Sequence, residues 1–211
     1  MKNIRRFTLV ELLAVMALIA ILSGIGFGVY SYAKNKAKES ATEALLKQIE
    51  AGLDGFHTKA GYYPLSQNQD FSTIRFRLAA DGTVEGVIFG VGNHDNPQND
   101  EPDGETLTRD TGADKASRTR TERLEAFVKS LDMEVIKNHL NSNNEIVDAW
   151  GNPIYYRSPG RFRTGGYDLV SAGSDANFGS SAGNKTPKGM TDPAKFRKSS
   201  GEHVCDDIFN F

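Results

Sequence analysis

Four histidines, one cysteine and 27 carboxylate side chains are the groups in this chain best able to do chemistry. His57, His94, His139 and His203 are scattered, with no H-E-x-x-H spacing to hold a metal. No P-loop, G-x-S-x-G elbow or Cys/His arrangement is present. Cys205 is the only cysteine, so no intrachain disulfide can form, and it reads as a small buried apolar residue rather than a reactive thiol. The residues point away from catalysis. Glu11 is different: residues 12–33, immediately after it, are 22 positions without a charged side chain. A carboxylate inside an apolar helix costs roughly 2.5–3.5 kcal/mol on insertion scales, so it normally has a partner and a role.

The element that must position Glu11 is the apolar run itself. About 20 helical residues at ~1.5 Å each cross a hydrocarbon core. Lys2, Arg5 and Arg6 precede the run and Lys34, Lys36 and Lys38 follow it, so charge bias orients it only weakly towards a cytoplasmic N-terminus. Three readings fit: a signal peptide cut after Ala33, a plain membrane anchor, and a segment in which Glu11 is used. The signal-peptide reading suffers from a run longer than a usual signal core, and the plain anchor leaves Glu11 unexplained.

The stretch Phe7-Thr8-Leu9-Val10-Glu11 resembles the processing motif of type IV pilins and type II secretion pseudopilins. The resemblance implies a leader of residues 1–6, cleavage between Arg6 and Phe7, and methylation of the Phe7 amine. Arg6 stands where the family has Gly, sometimes Ala. It also implies an assembly role for Glu11, whose carboxylate would pair with the Phe7 ammonium of a neighbouring subunit and fix the register of packed helices.

Beyond the run the helical pattern continues. Ala37, Ala41, Leu45, Ile49, Leu53, Phe56 and Ala60 recur at i+3/i+4 spacing, and no proline interrupts residues 7–60. One helix is expected, residues 7–33 in the membrane and 34–60 soluble. Gly24, Gly26 and Gly28 serve either close packing or local unwinding; Gly61 ends the helix and Pro64 prevents its return. A strand over residues 74–78, a turn at Asp81-Gly82 and a return strand over 84–89 follow. Residues 93–118 are polar and acidic and read as an exposed loop. Thr119 and Glu122 fit a capping box before an amphipathic helix carrying Leu124, Phe127, Val128, Leu131, Val135 and Leu140. Trp150-Gly-Asn-Pro153 reads as a turn with one apolar anchor, and strands are expected over 154–157 and 167–171, Tyr155 and Tyr156 on opposite faces.

The stretch "DAWGNPIYYRSPG" (residues 148–160) resembles "DPWGNPYQYRSPG" of the major pseudopilin of type II secretion, and "YDLVSAGSD" (167–175) resembles that family's next strand and loop. The tail Asp206-Asp207-Ile208 is similar to its last acidic motif. The expected fold is α+β and pilin-like: a long N-terminal helix, its first half transmembrane, packed on a small antiparallel sheet. The globular domain would span 61–211 with inserts at about 66–143 and 176–205. The resemblance implies a non-enzymatic, single-pass inner-membrane protein with a periplasmic domain, assembling into a helical homo-oligomeric fibre for protein export. Its partners would be minor pseudopilins, the inner-membrane assembly platform and the prepilin peptidase. A net charge of −2 argues against nucleic acid. Alternatives are a type IV or minor pilin, and a secreted or membrane-anchored binding domain cut after Ala33. The family's calcium loop implies a Ca²⁺ site from the Ala172 carbonyl and the carboxylates of Asp175, Asp206 and Asp207, hard oxygen ligands of the type the ion takes. Residues 176–205 separate these groups, and five basic side chains between Lys185 and Lys198 could replace the ion electrostatically.

Overall fold

A computed structural model describes residues 8–90, 104–110, 112, 114–178, 187 and 208–210; side chains at 22–28, 68 and 117 are outside the description. Arg6, Phe7, Asp206, Asp207, Cys205, His94 and His203 therefore lie outside the described residues. The chain divides into two compact units, Met1–Lys38 and Glu39–Phe211.

Helix α1, Leu9–Ala60, begins in the first unit and ends in the second. Its backbone is helical through Gly24, Gly26 and Gly28. In the first unit the apolar side chains from Leu9 to Ile21, and Val29, Tyr30 and Tyr32, are exposed. Among the described residues no helix is long and apolar enough to cross a membrane; the uncharged run 12–33 includes residues 22–28, whose side chains are not described.

In the second unit the helix buries a stripe against a sheet. Leu45, Leu46, Ile49, Leu53 and Phe56 are at most a few per cent exposed and join one core with Ile74, Phe76, Val87, Phe89, Tyr156 and Leu169. The stripe is shorter than its periodicity predicts: Ala37 and Ala41 are exposed, and burial begins at Thr42. Small apolar side chains at a helix end remove little area from water, so the pattern alone does not place the edge of the core. Gly61, with φ of +84°, closes α1 by donating its N–H to the His57 carbonyl at 2.7 Å.

Among the described residues six strands form one antiparallel sheet in the order β3-β2-β1-β4-β5-β6: β1 Ser72–Leu78, β2 Val84–Phe89, β3 Thr106–Thr108, β4 Tyr155–Arg157, β5 Asp168–Ser171 and β6 Ile208–Phe209. The β1–β2 hairpin turns where Asp81-Gly82 predicts. Asp81 Oδ1 accepts from the Thr83 N–H at 2.8 Å, and Gly82 takes a φ of +81°. The acidic loop expectation needs correction, since Thr106–Thr108 is an edge strand paired to β2.

Two further helices stand among the described residues, the first packed on β3 and β2. Helix α2, Lys115–Lys129, starts four residues before the expected capping box. The Asp114 carboxylate accepts the Ala116 N–H at 3.0 Å and caps it, while Thr119 lies inside, its hydroxyl bonded to the Lys115 carbonyl at 2.9 Å. The stripe from Leu124 to Leu140 is not one helix either. Asp132 caps a second one, α3 Met133–Asn138, accepting from the Glu134 and Val135 N–H groups. Where α1 crosses α2, glycines permit the approach: a Cβ at Gly55 would lie 2.6 Å from the Ala126 carbonyl oxygen.

Tyr156 faces the main core and donates to the Pro64 carbonyl at 2.6 Å. Tyr155 points to the other face, as alternation requires, but is not left in solvent. It is buried in a second cluster with Phe71, Val170, Ala172, Phe178 and Phe209. Its ring meets Phe178 edge-on at 5.4 Å.

Candidate functional site

The turn after α3 is organised by one buried carboxylate. Asp148 is 2% exposed. Its Oδ1 accepts the N–H groups of Trp150 and Asn152, both at 2.8 Å, and its Oδ2 accepts the Ser171 hydroxyl at 2.6 Å and the Asn152 amide at 3.3 Å. A buried charge is tolerated when its lone pairs are used in this way. The same Asn152 amide donates to the Gly173 carbonyl at 2.8 Å, and the Ala149 N–H donates to the Thr42 hydroxyl of α1 at 3.2 Å. Asp148 thus ties helix, turn and the 172–175 loop into one polar knot. Trp150 packs on the core as its reading as an anchor requires.

That loop is where calcium was expected. Ala172 is buried and leads into a short 3₁₀ turn, Gly173–Asp175. The Asp175 side chain is exposed, its Oδ1 accepting the Asn177 N–H at 2.7 Å. Among the described residues no three His, Cys, Asp or Glu side chains gather to hold a metal ion. The described part of the expected donor set is the Ala172 carbonyl and the Asp175 carboxylate; Asp206 and Asp207 lie outside the described residues. Strand β6 and Asn210 tie the tail to the sheet and to α1. Ile208 pairs with Ser171 and Phe209 with Val170; the Asn210 side chain accepts the Leu169 N–H at 2.7 Å and donates to Glu50 of α1 at 3.1 Å.

At the other end of the chain, Thr8 and Glu11 form a closed pair. Glu11 Oε2 accepts the Thr8 N–H at 2.8 Å and the Thr8 hydroxyl at 2.9 Å, and the Thr8 hydroxyl faces the Glu11 N–H at 3.3 Å. This is a reciprocal capping box at the start of α1.

The comparisons with known proteins fall on these two regions. Residues 1–27 match the prokaryotic N-terminal methylation motif, and residues 115–186 match type II secretion system protein G. Together the two matches support a pilin-like protein of the type II secretion pseudopilin class. No match is found among curated proteins or among solved structures. The protein G match takes in α2, α3, the Asp148 turn, β4, β5 and the 172–175 loop. The methylation motif takes in Arg6, Phe7, the capping box and most of the apolar run.

Sequence reasoning singled out Glu11 but missed Thr8 as its partner, although T-x-x-E at the head of an apolar run carries that signal. Asp148 stands at the head of the 148–160 motif, but the motif alone does not mark its carboxylate as the hub. Asp148, three residues before Gly151-Asn152-Pro153, marks a turn, but only the fold brings Ser171 and Gly173 to it. Elsewhere, an open cleft of about 490 Å³ is lined by Lys115, Ala116, Thr119, Arg120 and Arg123. Two of its cations are engaged, Arg120 with Asp110 at 2.6 Å and Arg123 with the Tyr62 hydroxyl at 3.0 Å, so it reads as a solvated basic face.

Proposed function

We propose that this pseudopilin is held in the inner membrane as a single-pass protein with its globular domain in the periplasm, and is extracted from there into a short fibre that drives protein export. The single observation that carries the reading is the pairing of an N-terminal methylation motif with a protein G region in one chain. The exposed apolar side chains of α1 from Leu9 to Ile21 support it, because such a surface needs lipid or other helices around it. The protein G match favours type II secretion over a type IV pilus. The role is structural: copies of the chain pack by their helices, and the prepilin peptidase, the inner-membrane platform and minor pseudopilins act on or with them.

Calcium belongs to the same proposal. Ile208, the residue after Asp207, pairs with Ser171, the residue before Ala172. This pairing supports a site in which Ala172, Asp175, Asp206 and Asp207 contribute oxygens, and the ion would add a staple to a tail already tied by Asn210.

The functional test is overexpression of the chain together with its secretion system. Sheared, chain-containing fibres and loss of export on deletion of the gene are the expected results. Export that continues unchanged in the deletion strain contradicts the reading.

A further inference from the structure

Residues 30–38 of α1, Y-S-Y-A-K-N-K-A-K, close the uncharged run. Tyr30 and Tyr32 are 68% and 67% exposed, and Lys34 and Lys36 are exposed beyond them. We propose that this segment is a docking collar for anionic phospholipid headgroups on the side of the membrane from which the globular domain emerges. The proposal rests on the membrane reading above and adds a partner to it.

Helical geometry gives the first argument. At 3.6 residues per turn, Tyr30, Lys34 and Lys38 fall within about 80° of one another, while Tyr32 and Lys36 lie about 200° and about 240° round from Tyr30. Each tyrosine therefore has a lysine one turn above it, on both sides of the helix. A protein partner seated on one face needs cations on that face only. Lipid surrounds a lone helix, and a two-sided collar suits it. The spacing along the axis is also that of an interface, since residues 30 to 38 rise about 12 Å, enough to place a phenol at the edge of the hydrocarbon and an ammonium among phosphates.

Charge gives the second. Residues 34–38 hold three positive charges and no negative one, with Glu39 the next residue. Cleavage before Phe7 would remove Lys2, Arg5 and Arg6, so the processed chain would keep its basic cluster on the exit side alone. There the lysines resist being drawn into hydrocarbon but do not oppose movement outward, which sets the resting depth of the helix and leaves extraction open. Each lysine near an anionic surface strengthens attraction by up to about fivefold at low salt, and salt screens it.

The test uses the full-length chain reconstituted in vesicles of equal phosphatidylcholine and phosphatidylglycerol, with spin-labelled forms of each lipid reporting which one the protein immobilises. The wild type should prefer phosphatidylglycerol several-fold, and high salt should remove the preference. A triple Lys34→Gln, Lys36→Gln, Lys38→Gln variant should bring the ratio close to one, while the corresponding triple arginine variant should keep it. Equal ratios for wild type and the glutamine variant would overturn the proposal. So would loss of the preference on adding inorganic phosphate but not chloride at matched ionic strength, which would indicate a site for free anions. Protein washed from the vesicles by alkaline carbonate would instead contradict the membrane reading itself, whereas a carbonate-resistant chain with no lipid preference contradicts the collar alone.

Discussion

Thr8 and Glu11 satisfy each other: the glutamate accepts from both the N–H and the hydroxyl of the threonine, at 2.8 and 2.9 Å, within a single subunit. The carboxylate at the head of the apolar helix thus has a partner before any neighbour arrives. Pairing with another subunit's Phe7 amine would have to share or replace these bonds. The two roles separate by mutation. Thr8→Val removes the cap at a cost of about 1 kcal/mol but leaves the Glu11 side chain in place, so fibres should still form, with faster amide exchange in the first turn of α1. Glu11→Ala should insert normally and sharply reduce fibre yield. Normal fibres from Glu11→Ala, seen by electron microscopy, would end the pairing hypothesis.

Asp148 makes a stronger claim on stability. Its removal leaves the Trp150 and Asn152 N–H groups and the Ser171 hydroxyl without their acceptor in a buried site. Asp148→Ala should cost about 3 kcal/mol in the 34–211 fragment, read by urea unfolding. A loss below about 1 kcal/mol would mean that the turn is held by Asn152 and Trp150 alone.

The glycines at the α1–α2 crossing should respond unequally. An added Cβ at Gly55 meets the Ser130 Oγ at 2.5 Å and the fixed Ala126 carbonyl at 2.6 Å, whereas at Gly52 the nearest atom is a movable Leu131 methyl at 2.9 Å. Alanine gains up to about 1 kcal/mol of helix propensity at either site. Gly52→Ala should come out near neutral, and Gly55→Ala should destabilise by about 1–3 kcal/mol. Equal effects in thermal melts would contradict the packing described.

Much of this architecture could be read in advance, and the misses share a cause. The buried stripe from Leu45 to Phe56 and the Asp81-Gly82 hairpin are local patterns, and both stand where their spacing puts them. Thr106–Thr108 could not be read, because a three-residue edge strand owes its form to β2 beside it rather than to its own polar sequence. The second cluster escaped for the same reason: Phe178 and Phe209 lie far apart in sequence, and only the fold lays them over Tyr155. The capping-box pattern lies at Thr119, but Asp114 starts the helix a turn earlier. Of the calcium set, Ala172 and Asp175 lie on one loop, and Asp206 and Asp207 lie outside the described residues.

Acid should weaken the domain partly through Glu145. Burial pushes its carboxyl up, but hydrogen bonds from Asn141, Arg75 and Thr73, with the Arg75 charge, outweigh that and hold it below the ordinary glutamate value of 4.5. A depressed folded value contributes stability that is present above 4.5 and is lost as pH falls through the lowered value. Glu145→Gln should therefore start less stable at neutral pH and lose less on acidification. Melting curves that fall in parallel for the two proteins would contradict this.

Calcium is tested by melting the 34–211 fragment in EGTA and in millimolar Ca²⁺. A site should raise stability by ~2.7 kcal/mol at a hundredfold excess over Kd, and the rise should vanish in Asp175→Ala and in Asp207→Ala. An unchanged melting temperature would leave the tail to Asn210 and β6 alone.

The central claim, that this chain is a processed pseudopilin, is tested most directly by the intact mass and N-terminal sequence of the protein recovered from membranes. The expected species begins at Phe7, despite Arg6 before it, and carries an N-methyl group in place of one amine hydrogen, a net gain of CH₂ over the cut chain. A chain that begins at Met1 would be a static anchor, and one that begins at Lys34 a secreted domain; either result contradicts the account.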